Sequence, residues 1–178
     1  ARITYLNVDK DGFVNLDELK KNISDKTLVV SVIHGNNEIG TLQDLEAIGK
    51  ICKEKGVYFH SDACQSYMKF PIDVKKMNLD LATVNAHKIH GPKGVGALYI
   101  KENTKMDPLL HGGGHEFGKR SGTVNVSGIV GFAEAVKISN FSDVKKIGKL
   151  RDKLIAGLEN KIPELRLNGS KTRRLCNN

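Results

Sequence analysis

Residues 27–33 read TLVVSVI. An apolar run of this length without alternation predicts a strand buried on both faces, as in the middle of a parallel sheet. Its surroundings fit that reading. Residues 43–55 place Leu45, Ile48, Ile51 and Cys52 on one helical face, and Gly56 supplies a stop. VYFHSD (57–62), LATVNA (81–86) and GVGALYI (94–100) follow as further strands. Residues 125–139 and 143–162 read as helices, the second with an apolar stripe of Val144, Ile147, Leu150, Leu154 and Leu158. Strands alternating with helices predict an α/β architecture with a mainly parallel sheet.

The chain has 178 residues, enough for one domain with a sizeable core. Its net charge of +8 includes a late cluster, Lys171, Arg173 and Arg174. No aromatic residues are interleaved with the basic ones, which argues against a nucleic-acid partner. No apolar run approaches a membrane span, and no signal-peptide pattern opens the chain. Cys52, Cys64 and Cys176 have neither paired nor metal-like spacing, which points to a reducing, cytoplasmic compartment. Both ends, ARITYLNV and LRLNGSKTRRLCNN, read as chain continuing into further structure, so the sequence is expected to be the central piece of a longer protein.

Four motifs compete for a function. NVDKDGFVNLDE (7–18) matches a calcium loop: Asn7, Asp9 and Asp11 on ligand positions, Gly12 at the turn, Val14 in the apolar slot and Glu18 at the bidentate position. A helix should precede such a loop, yet Ile3, Thr4 and Tyr5 favour a strand. The competing expectation is a turn at Asp11-Gly12 and a helix opened by Asn15, with Glu18 completing a capping-box-like pair and Leu16, Leu19 and Ile23 facing inward. GGHEFGKRS (113–121) approaches a nucleotide phosphate loop, but Arg120 stands where a magnesium-holding Ser or Thr belongs. His87, His90, His111 and His115 lack the helical spacing and the acidic or thiol partners of a zinc site. The HGGG of 111–114 has no nucleophile elbow to serve.

The remaining constellation joins HSDACQS (60–66) to NAHKIHGPKG (85–94). Asp62 ends one predicted strand and Lys88 follows the end of another, where α/β sheets present their ligands. A lysine for a Schiff base and an acid to keep a ring nitrogen protonated are the two groups that pyridoxal phosphate requires.

With NNEIGT, HSDACQS, HKIHGPKGVGALYI and HGGGHEFGKRSGT in that order, the sequence resembles the cysteine desulfurases, pyridoxal 5'-phosphate enzymes of the class V aminotransferase group that supply sulfur for iron–sulfur clusters. The resemblance implies the aspartate-aminotransferase-like fold (fold type I). Residues 1–140 are then part of the large cofactor-binding domain, and 141–178 a linking helix and the start of a smaller C-terminal domain. It also implies a homodimer, L-cysteine as substrate, L-alanine and an enzyme persulfide as products, and an iron–sulfur scaffold or other acceptor protein for the sulfur. Residue by residue, it makes Lys88 the Schiff-base lysine and proton carrier, and Asp62 the partner of the pyridine nitrogen. Gln65 and Asn37 fall near the phenolic oxygen, Asn85 and His87 near the phosphate. Thr123 reaches the phosphate of a neighbouring subunit.

The family pattern is broken in three places. Asn85-Ala86 replaces the Ser-Gly that many members carry before His-Lys. The family's upstream segment, with its ring-stacking histidine, is absent, and so is the loop bearing the catalytic cysteine. Cys64, between Asp62 and Gln65, is expected to point away from them as a small packing residue. Cys52 reads as helix core, and Cys176 lies in a lead-in to the next domain. The rivals are a selenocysteine lyase or another class V aminotransferase, and, from a different class, a non-catalytic calcium-binding module built on residues 7–18.

Overall fold

A computed structural model of the chain describes residues 2–178. Its centre is a four-stranded sheet in the order β1 (Val29–Ile33), β2 (Tyr58–Asp62), β3 (Leu81–Asn85) and β4 (Gly96–Ile100). β1, β2 and β3 run parallel, with Ile33 beside Asp62 and Asp62 beside Thr83; β4 returns antiparallel, with Asn85 beside Gly96. The helices are α1 (Leu16–Asn22), α2 (Leu45–Lys55), α3 (Val126–Ile138) and α4 (Phe141–Lys161). A short 3₁₀ turn spans His87–Ile89.

The pleat sorts the strands into two faces. Val30, Val32, Phe59 and Ala82 point to the side where Leu45, Ile48, Ile51 and Cys52 of α2 and Leu19 beside Ile23 complete the core. Phe59 is fully buried. Asp44 caps α2 by accepting from the Ala47 amide at 3.1 Å. Gly56, at a φ of +66°, ends it in the left-handed conformation that glycine adopts without a Cβ penalty.

Several expectations change. TLVVSVI is not buried on both faces: β1 is an edge strand whose accessibility alternates, leaving Leu28 and Val29 exposed. Ile3–Tyr5 form no strand; among the described residues the segment finds only a single bridge, Val8 to Val14, and Ile3 and Tyr5 lie in solvent. The stripe on α4 is present but turned outward, with Leu150 and Leu154 60% and 62% exposed. Of the stripe only Val144 is sheltered; the other more sheltered positions, Gly148, Arg151, Ile155 and Glu159, lie on another side of the helix. There the Arg151 guanidinium donates to the Arg174 and Leu175 carbonyls, and Lys171 pairs with Glu159 at 2.8 Å.

The calcium-like stretch is a turn followed by a helix. Asp9 Oδ1 accepts from the Asp11 and Phe13 amides, both at 2.9 Å. Asn15 caps α1 by accepting from the Asp17 and Glu18 amides. Glu18 departs from the capping box: its carboxylate reaches back to the Asn7 amide and side chain rather than to Asn15.

Candidate active site at the carboxyl ends of the parallel strands

Asp62 is held by the sheet on both sides. Its carbonyl accepts from His34 N at 2.8 Å, and the next amide, Ala63 N, donates to the Thr83 carbonyl at 2.9 Å. Its side chain accepts from Cys64 N at 2.9 Å, which closes an Asx turn and starts the 63–70 reversal that carries Gln65. One strand over, β3 ends at Asn85, whose Oδ1 accepts from Lys88 N at 3.2 Å and fixes the start of the lysine-bearing turn. Ala86 and Ile89 anchor that turn in a small cluster with Phe132 and Ala135 of α3. The chain folds back so tightly that a Cβ on Gly91 would sit 2.9 Å from the Ala86 Cβ. Ala86, one of the departures from the family pattern, therefore fills a fully buried position. His87 and Lys88 remain exposed on the outer side of the turn.

Cys64 records how these groups converge. Burial pushes its thiol up to about 11, and a hydrogen bond to Asp62 and that carboxylate's charge add to the rise. The Asn85 amide and the Lys88 ammonium act in the opposite direction. Cys64 sits between the ends of β2 and β3, its amide bound to Asp62 Oδ1 and its Sγ approaching the Thr83 carbonyl at 3.9 Å. Cys64 does not point away from Asp62, because the Asx turn breaks the strand alternation. Its raised pKa still makes it a poor nucleophile at neutral pH.

A second feature was within reach of the strand period but went unread. His60 lies two residues before Asp62 on the same face. Its ring spans three strands, with Ser31 Oγ 2.8 Å from Nδ1 and Thr83 Oγ1 2.9 Å from Nε2. Burial lowers its pKa while the Asp62 charge opposes that. Both hydroxyls donate or accept, so the ring is satisfied in either tautomer.

The other sequence candidates sit further out. Asn37 is exposed on the loop after β1. Gln65 is half-buried in the turn after Asp62, and Thr123 is exposed in the segment before α3. The glycine-rich loop is held by its own side chains, with Ser121 Oγ accepting from Gly114 N and Lys119 Nζ donating to the Met106 carbonyl. Among the described residues, no three His, Cys, Asp or Glu side chains converge as a metal site. The donor set at the strand ends suits pyridoxal phosphate chemically: one carboxylate, one primary amine, and neutral amides and imidazole around them.

The fold and this constellation define a class. Residues 1–176 match the family model for class-V aminotransferases, and the chain belongs to that family. It is 50% identical to the cysteine desulfurase IscS of Clostridium botulinum over 182 residues, covering 99% of this chain and 46% of the relative. Its identity to the cysteine desulfurase IscS of Methanosarcina thermophila is also 50%, over 99% of this chain and 44% of that one. Among solved structures, a NifS-like protein superposes with a TM-score of 0.89 at 41% identity, covering 97% of this chain and 48% of the other. The NifS-like protein of Rickettsia africae gives a TM-score of 0.90 at 38% identity, covering 96% and 49%. The expected α/β class and the fold-type I architecture hold, here as a partial large domain. The chain spans about half the length of the curated relatives it matches.

Proposed function

We propose that the whole protein is a pyridoxal 5'-phosphate-dependent cysteine desulfurase. It takes L-cysteine, releases L-alanine, and passes the sulfur as a persulfide to an iron–sulfur scaffold or another acceptor protein. The observation that carries this reading is the placement of Asp62 and of the Asn85-capped turn bearing Lys88 at the carboxyl ends of adjacent parallel strands. Sequence kinship to desulfurases over nearly the whole chain supports it.

When bound, the cofactor supplies an electron sink for the carbanion formed at the substrate's α-carbon. The residues of this chain do the rest. Asp62 keeps a ring nitrogen protonated by pairing an anion with it, and its other bond, to Cys64 N, fixes the carboxylate's orientation. Lys88 would hold the cofactor through its amine and would serve as the proton carrier at the substrate. Asn85 and His87 donate to the phosphate, Gln65 and Asn37 to the phenolic oxygen, and Thr123 to the phosphate of a second copy in a homodimer. Three free cysteines suit a cytoplasmic setting. None of the three cysteines suits the sulfur-transferring role: Cys52 is core, and burial pushes the Cys64 and Cys176 thiols up.

The full-length protein mixed with pyridoxal phosphate is expected to show the absorbance band of a lysine-bound cofactor, and Lys88→Ala to abolish it. A band unaffected by that substitution overturns the assignment. Alanine release measured from cysteine and from selenocysteine separates the desulfurase from a selenocysteine lyase.

A further inference from the structure

The loop that carries Asn37, residues 36–41, is braced from two remote parts of the chain. Internally, Asn36 Oδ1 accepts from the Glu38 and Ile39 amides, and Gly40 N donates to the Asn36 carbonyl at 3.0 Å. On one flank stands the turn that resembles a calcium loop. Thr41 Oγ1 donates to the Asp11 carbonyl at 2.6 Å, and Gln43 Nε2 donates to the Gly12 carbonyl at 2.6 Å. On the other flank lies residues 168–178. Leu42 N donates to the Arg173 carbonyl at 2.9 Å and Leu175 N to the Gly40 carbonyl at 2.8 Å, a short antiparallel ribbon about the Thr41–Arg174 bridge. Ser170 N donates to Thr41 Oγ1 at 3.1 Å, so one fully buried hydroxyl ties all three segments together.

Asn178 is the residue in this strap that reaches Asn37 itself. Its Nδ2 donates to the Asn37 carbonyl at 3.1 Å and to the Glu38 carbonyl at 2.9 Å, using both amide hydrogens on consecutive peptides. The fit is close: a Cβ on Gly40, where φ is +72°, would lie 2.7 Å from Asn178 Oδ1. We infer that Asn178 is a positioning residue for Asn37: its carboxamide fixes the two peptides that set where the Asn37 side chain points. The consequence for the cofactor rests on the reading above; the brace itself does not. The turn at residues 7–14 then has a role without any metal, as the opposite jaw of the same clamp.

Asn178→Asp is the informative change, since it keeps the shape and removes both donors. In the full-length, cofactor-free protein, amide hydrogen exchange at Ile39–Leu42 is expected to quicken about tenfold, as two ordinary hydrogen bonds are lost. In the loaded protein, the pH midpoint of the cofactor's absorbance change is expected to move, because Asn37 is no longer fixed against the phenolic oxygen. Lys171→Ala, which breaks only an exposed ion pair on the same strap, should alter neither. Unchanged exchange in Asn178→Asp overturns the brace. Faster exchange with an unmoved pH midpoint overturns the positioning role. If Lys88→Ala keeps the absorbance band, the cofactor reading fails and takes the positioning role with it, while the exchange arm still reports on the brace. Should Asn178→Asp fail to fold, Asn178→Ser, which shortens the side chain and removes both amide donors, gives the test: exchange at Ile39–Leu42 no faster than in the parent overturns the inference.

Discussion

The reactivity of Cys64 tests the site's geometry without any cofactor. The ordinary cysteine value is 9.0, and burial beside Asp62 pushes this thiol up to about 11. At pH 7.5 the thiolate fraction then falls from about 3% to about 0.03%, roughly a hundredfold. Thiolates of higher pKa are intrinsically better nucleophiles, which restores about eightfold. Attack on a small thiol-exchange reagent such as methyl methanethiosulfonate should therefore run about tenfold slower than at an unperturbed thiol. Rates are read by mass spectrometry on the peptide containing Cys64 in the cofactor-free, full-length protein, from pH 7 to 11. The substitutions carry opposite signs. Asp62→Asn removes the carboxylate that raises the pKa, so reaction at pH 7.5 quickens; Lys88→Ala and Asn85→Ala remove groups that favour the thiolate, so it slows. A profile that levels off near pH 9 contradicts the burial of the thiol, and an Asp62→Asn protein no faster than its parent refutes the influence of that carboxylate on Cys64.

Other outcomes follow from the same packing. Gly49→Ala exchanges a poor helix former for the best one, a gain of about 1 kcal/mol in an open helix. Here the new Cβ overlaps the Met77 carbonyl, which is backbone and cannot swing aside. The expected net loss is about 1–2 kcal/mol, since overpacking of this kind costs up to about 3 kcal/mol, and a thermal melt that rises instead contradicts it. His34 is buried with Nδ1 unpartnered, and burial with the nearby Arg173 charge lowers its pKa from 6.5 to about 4. The unfolded chain takes up that proton first as pH falls. Stability supplied by His34 is thus complete above about pH 6.5 and declines toward pH 4, by up to about 3 kcal/mol. Urea titrations of the parent and of His34→Phe from pH 7 to 4 should show a steeper decline in the parent; parallel curves count against it.

How much of this was legible in the sequence varied by scale. Strand–helix alternation located all four strands and both long helices, because those signals are local and periodic. Asp62 and Lys88 stand where the sequence puts them, at strand ends, because strand ends in an α/β sheet are predictable places. The apolar run 27–33 misled on burial, since hydrophobicity cannot say that only the face bearing Val30 and Val32 is covered by a helix. The stripe on α4 misled for a related reason: Arg151 and Glu159, polar residues, choose the side that packs. Cys64 eluded the period-two rule because the rule stops where the Asp62 side chain captures the next turn. The Asn178 brace was beyond any window, its partner lying 141 positions away.

That separation also sets a timetable for synthesis. The sheet is ordered β1-β2-β3-β4, so each strand emerging from the ribosome adds to the edge left by the one before. Asp62, Asn85 and Lys88 belong to one continuous stretch and come together as soon as the third strand docks. The Asn37 loop must wait for residues 168–178, almost the whole of this chain, before its second jaw closes. The turn that bears Lys88 is thus framed before α4 is made, and the loop that bears Asn37 is completed only after it.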